Sequence, residues 1–111
     1  MRDFELGEIT REGDTATLPV KVPEDLKFFE GHFPGDPIVP GVAQVVALAE
    51  AGARLGWPDL GPVAGLRRVK FTRAIRPGDA LTLRFERKGE KVGFRIAKGE
   101  HEASRGSLVF R

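Results

Sequence analysis

The sequence predicts an α+β domain in which one helix is wrapped by an antiparallel sheet. Two observations lead there. Residues 42–53, Val-Ala-Gln-Val-Val-Ala-Leu-Ala-Glu-Ala-Gly-Ala, contain no proline and are apolar or small apart from Gln44 and Glu50. Alanine dominates them, so they form a helix. That helix is apolar nearly all the way round, which predicts burial on every side. It is too short and too polar in places to span a bilayer, which needs about 20 apolar residues. The second observation is that the rest of the chain supplies strands and little else. The wrapper is therefore a curved sheet of about five strands.

The 111 residues make one domain, 1–111, large enough to bury a core. Cysteine is absent, which excludes disulfides and thiolate metal sites. The N-terminal residues Met1-Arg2-Asp3-Phe4-Glu5 contain no apolar run, so the expected location is cytoplasmic. A net charge of +2 and a pI near 9.3 suit an acidic partner weakly. Basic residues interleaved with aromatics do not cluster, so no nucleic-acid surface is expected.

In chain order, residues 3–10 form a short strand or turn, and Glu12-Gly13-Asp14 is a turn signal. The β-branched run 15–22 is the first full strand. Glu24 and Asp25 precede a short helical turn over residues 26–28. Residues 28–41 cannot be helical, because Pro34, Pro37 and Pro40 fix φ and restrain their predecessors. The helix follows and stops at Gly56-Trp57-Pro58, a glycine-then-proline terminator. After Gly61-Pro62 the apolar period becomes two. Strands are expected over 63–75, 80–87, 92–96 and 103–110, with turns at Arg76-Pro77-Gly78-Asp79, Lys88-Gly89-Glu90-Lys91 and Lys98-Gly99-Glu100.

Two stretches carry a resemblance. Gly-His-Phe-Pro-Gly-Asp-Pro-Ile-Val-Pro-Gly-Val, residues 31–42, resembles the signature of the (3R)-hydroxyacyl-[acyl-carrier-protein] dehydratases of fatty-acid synthesis. Val-Lys-Phe-Thr-Arg-Ala-Ile-Arg-Pro-Gly-Asp-Ala-Leu, residues 69–81, is similar to that family's second signature at the right distance. The resemblance implies the hotdog fold, a dimer with a continuous sheet, and two active sites at the interface. It implies no cofactor or metal. The implied substrate is a 3-hydroxyacyl thioester on acyl carrier protein or coenzyme A.

The chain departs from the family at one place. The helix glutamate, five residues after the glycine of Pro-Gly, falls on Val46, and the family's following glutamine falls on Glu50. Gly41-Val42-Ala43-Gln44 is similar instead to a branch acting in aryl polyene and related pathways.

Dehydration needs a base at C2, stabilisation of the thioester oxygen, and a proton for the departing C3 hydroxyl. His32 suits the first task, since an imidazole titrates near neutrality, and the family's equivalent histidine is this base. Gly41, at the helix start, suits the second through unpaired N–H groups. Val46 cannot perform the third. Either Glu50, one turn on, replaces it, or protonated His32 returns its proton. Phe33, Pro34, Val39, Pro40, Val42 and Val46 are expected to line the substrate pocket.

Blander roles compete. Glu50 is costly in an apolar helix unless paired, and Arg54, four residues on, is a natural partner. His101 is expected on the surface and Trp57 in the core or at its rim. Arg67, Arg68, Lys70, Arg73 and Arg76 form either a solvated strand face or a docking patch for the acidic carrier. Two other functions stay open: a hotdog thioesterase using Glu50 to activate water, and a non-catalytic subunit that binds acyl chains or pairs with an active homologue.

Overall fold

The structure, a computed structural model, describes residues 2–29 and 37–111. Its centre is a helix from Gly41 to Gly56, and around it run seven antiparallel strands. Five are long: β3 (Thr15–Lys21), β4 (Val63–Phe71), β5 (Ala80–Lys88), β6 (Lys91–Lys98) and β7 (His101–Phe110). Two short ones precede them, β1 (Glu5–Leu6) and β2 (Thr10–Glu12), where the sequence suggested a short strand or a turn. The sheet order is β1-β3-β5-β6-β7-β4, with β2 also pairing to β3. β4 is thus an edge strand.

Alternation sets the sheet's two faces. In β3, Ala16, Leu18 and Val20 are buried between exposed residues, and in β5 Leu81, Leu83 and Phe85 repeat the pattern. Register joins the rows: Leu18 faces Leu83, which faces Ile96. These side chains pack under the helix with Leu48, Ala49, Ala53 and Trp57.

Helix and sheet approach closely because the helix presents small residues. A Cβ added at Gly52 would lie 2.6 Å from Cζ of Phe85, and one at Gly56 would lie 3.3 Å from Ile9. The burial is spaced accordingly, with buried pairs at Ala43/Gln44, Leu48/Ala49, Gly52/Ala53 and Gly56/Trp57. The first step is five residues and the later ones are four. The change coincides with a π-helical stretch, Gln44–Glu50, in which the Ala51 N–H reaches back to the Val46 carbonyl.

The expectation of burial on every side is corrected. In the single chain Val42 is 71% exposed, Val46 54% and Leu55 48%. One sheet covers one side of the helix, and the opposite stripe stays bare.

The expected strand over 63–75 is also shorter. β4 stops at Phe71 after an irregularity at Arg67–Lys70, where Arg68 takes φ 51°. Two residues there oppose one, a β-bulge. Gly106 opposite leaves room for Val69, whose Cγ2 would lie 2.8 Å from a Cβ at that position. Beyond Phe71, the Thr72 and Arg73 amides both turn to the Ala103 carbonyl. The chain then dives to bury Ile75 completely.

Gly52→Ala tests the close approach. Alanine in a helix interior is ordinarily better than glycine by about 1 kcal/mol, but overpacking costs about 1–3 kcal/mol. Denaturant unfolding is expected to show a net loss of about 1–2 kcal/mol, smaller in the Phe85→Leu background.

Candidate active site

The helix N-terminus is built by its surroundings, without a capping side chain among the described residues. Pro40 occupies the N-cap in extended conformation, and its carbonyl accepts the Ala43 and Gln44 amides at 3.1 and 3.2 Å. The amides of Gly41 and Val42 belong to the first turn and have no intrahelical acceptor. The helix dipole adds positive potential there.

Three contacts fix this end. Val39, buried in the core, donates its N–H to the Ile75 carbonyl at 2.8 Å. Gln44, 3% exposed, donates from Nε2 to the Val39 carbonyl at 3.3 Å. Its Oε1 is buried with no hydrogen-bond partner among the described residues. Finally, the Phe71 ring rests on Gly41. A Cβ added to Gly41 would lie 2.8 to 3.3 Å from three of its ring carbons. A side chain here would force the ring to shift.

Of the expected site residues, Gly41, Val42 and Val46 lie on the outward part of the helix, with Pro40 half-buried before them. Val39 sits in the core, where it serves as an anchor. His32, Phe33 and Pro34 lie outside the described residues. Glu50 takes the pairing expected for it. Its Oε2 accepts two hydrogen bonds from Arg54, both 3.2 Å. Arg54 in turn donates to the Leu60 carbonyl at 3.0 Å and lies over the Phe110 ring. Because four residues fall short of one π-helical turn, Glu50 is not stacked directly behind Val46.

His101 is exposed and Trp57 buried, as expected. Gln44 stands out in the sequence as a polar exception in the helix and a branch marker, and Phe71 as part of a strand and a signature, but neither is marked there as a site residue. An amide inside an apolar helix was the available signal for the former.

Arg67, Arg68, Lys70, Arg73 and Arg76 are all exposed. Strand register adds cations that spacing alone did not reveal. Arg84 faces Arg95, Arg95 faces Arg105, and Arg105 faces Lys70. Like charges directly opposite are unfavourable. Glu102 relieves part of this, 2.9 Å from Arg95 and 3.8 Å from Arg105. The row borders a groove of about 1010 Å³ on the sheet's outer face, with Thr17, Gly93 and Ser107 among its lining.

An antiparallel sheet wrapped round one helix, with a glycine-started helix end beside an edge strand, defines the hotdog class. Within it, residues 8–107 match the family model of ApeI-like proteins, the ApeI dehydratases, and the chain belongs to that family. Over 95 residues it is 41% identical to the 3-hydroxyacyl-[acyl-carrier-protein] dehydratase FabZ of Moorella thermoacetica, covering 75% of this chain and 66% of that protein. The FabZ of Chloroflexus aggregans is 43% identical over 83 residues, covering 69% of this chain and 56% of the relative. The chain thus spans somewhat under two thirds of the curated relatives it matches. The solved dehydratase heterocomplex ApeI:P from Xenorhabdus doucetiae contains a chain that superposes with a TM-score of 0.84 at 25% identity, covering 99% of this chain and 98% of that one.

Arg54 is expected to be structural. Arg54→Ala removes three hydrogen bonds and a ring contact, all part-exposed, and should lower unfolding free energy by about 1–2 kcal/mol. Glu50→Gln, which keeps the Leu60 bond, should cost less than half of that by the same denaturant titration.

Proposed function

We propose that this chain is a dehydratase acting on 3-hydroxyacyl thioesters, with acyl carrier protein as the expected carrier. The carrying observation is the first helical turn: two amides without intrahelical acceptors at Gly41 and Val42, directly after the segment that contains His32. His32 removes a proton from C2. The thioester oxygen gathers negative charge and takes hydrogen bonds from the helix amides. The C3–O bond then breaks, and the hydroxyl leaves as water with the proton that His32 returns.

This one-residue acid–base cycle is favoured by two features. Val46 has no proton to give, and the Glu50 carboxylate is engaged by Arg54. The same engagement weighs against a thioesterase in which Glu50 activates water. Dimerisation is supported by the bare edge of β4 and by the exposed Val42, Val46 and Leu66. An exposed edge strand invites pairing. Carrier docking is supported by the cation row at Lys70, Arg84, Arg95 and Arg105.

One observation favours a second reading. Val46 stands, exposed, where the FabZ-type signature carries its helix glutamate. A subunit of this kind would supply a pocket while a different hotdog chain supplies the acid. The ApeI:P structure is described as a heterocomplex, and pairing with an active homologue would follow that arrangement.

His32→Ala should abolish hydration of a crotonyl thioester, since loss of a general base costs about 10²–10⁴ in rate. The wild-type rate should rise with pH through one step; a descending limb would assign a separate acid. Val46→Glu separates the two readings. A chain that is active alone should dimerise by light scattering, and the new carboxyl should raise its turnover. A monomer, or an isolated chain silent before and after the change, favours the paired subunit.

A further inference from the structure

Phe71 closes β4 and would ordinarily be read as an edge residue of the sheet. Its position argues for more. The outer edge of the ring, Cζ and the two Cε carbons, lies against Gly41, so close that a Cβ there would push it aside. Yet Phe71 remains 50% exposed. An aromatic whose outer edge is seated against a helix N-terminus, with half its surface open, forms a wall at the place where two backbone amides lack intrahelical acceptors. The wall is also held rigidly. Thr72 follows directly, and its hydroxyl lies 2.9 and 3.2 Å from the Glu102 and Ala103 carbonyls, while its N–H bonds Ala103. The strand end that carries the ring is thereby tied to β7.

Chemically, the site presents amide donors beside an apolar aromatic face. That pairing suits a thioester, whose carbonyl oxygen accepts hydrogen bonds while its sulfur and alkyl chain prefer an aromatic surface. We propose that Phe71 is a substrate-positioning and chain-length-determining residue. Its ring bears on Gly41 with its outer edge and carries the acyl chain of the thioester on its exposed surface. Val42, one residue into the helix, adds apolar surface beside it. The proposal rests on the reading of Gly41 as the oxyanion donor, and its test keeps the two apart.

The experiment compares wild type, Phe71→Leu and Phe71→Ala on crotonyl and longer 2-enoyl thioesters, measuring kcat and KM separately. If the chain lies on the ring, wild-type KM falls by up to about fourfold per added methylene. Phe71→Leu should shrink that dependence and Phe71→Ala nearly remove it. kcat for the shortest substrate should change far less. A purely structural role would lower activity equally at every chain length. Gly41→Ala is measured alongside, alone and with Phe71→Ala. It should be inactive alone, because of the collision, and partly restored in the pair. An unchanged chain-length dependence in both Phe71 variants overturns the proposal, whatever Gly41→Ala does. If Gly41→Ala is fully active, the ring gives way to the new methyl while the backbone N–H is kept, and the Phe71 series still decides whether the ring carries the chain. Circular dichroism melts identify any variant that fails to fold, and Phe71→Leu, which keeps an apolar side chain, then supplies the deciding series.

Discussion

The contact of Gly52 with Phe85 sets the distance between helix and sheet, and most of the architecture depends on that distance. A single sheet can wrap a helix only if the two backbones come close, and close approach requires small residues on the facing stripe. Ala49, Gly52, Ala53 and Gly56 supply them, and the larger Leu18, Leu83 and Phe85 come from the sheet. Large side chains on one side fit against small ones on the other. The arrangement fixes the helix roll and so determines which residues face outward.

The roll then changes along the helix. A uniform α-helix carrying the stripe Gly52/Ala53 backwards would bury the neighbourhood of residues 45 and 46 by its third turn. The π-helical stretch delays the stripe by one residue, and Ala43 and Gln44 are buried instead. Val42 and Val46 are consequently turned out, onto the bare face near the β4 edge. π-Helical insertions are tolerated where something is gained from them. Here the insertion turns Val42 and Val46 outward.

Much of this was legible in the sequence because it depends on local period. The alternation in 80–87 and 92–96, the alanine-rich run, and the glycine-containing turns gave the strands, the helix and their order. The family signatures supplied the wrapped topology a second time. The Arg54–Glu50 pair was readable from its i,i+4 spacing. What escaped depends on distance in space. The Arg84–Arg95–Arg105–Lys70 row exists only through register across four strands, and each strand alone shows one or two unremarkable cations. The bulge at Arg68 was hidden because no glycine marks it, and the early end of β4 reflects a pull from Ile75 that no propensity encodes. The bare helix stripe was misread because an all-apolar helix gives no sign of which side lacks a cover.

The two sequence signatures are best understood as one structural unit. Residues 31–42 and 69–81 are separated by the helix and by the long loop before β4, yet two contacts join them. The Val39 amide bonds the Ile75 carbonyl, and the Phe71 ring seats on Gly41. The first fixes the chain just before the helix, and the second fixes the side of its first turn. Between them, Pro40 has its φ restricted by its own ring. A helix end is normally its most mobile part, where amides fray and are shared with water. Clamped at Val39, at Pro40 and at Gly41, this one is held where its N–H groups keep a constant direction. Electrostatic stabilisation of a developing oxyanion depends on donors that need no reorganisation as charge appears. Break either contact and the amides are still present, but their direction is no longer held.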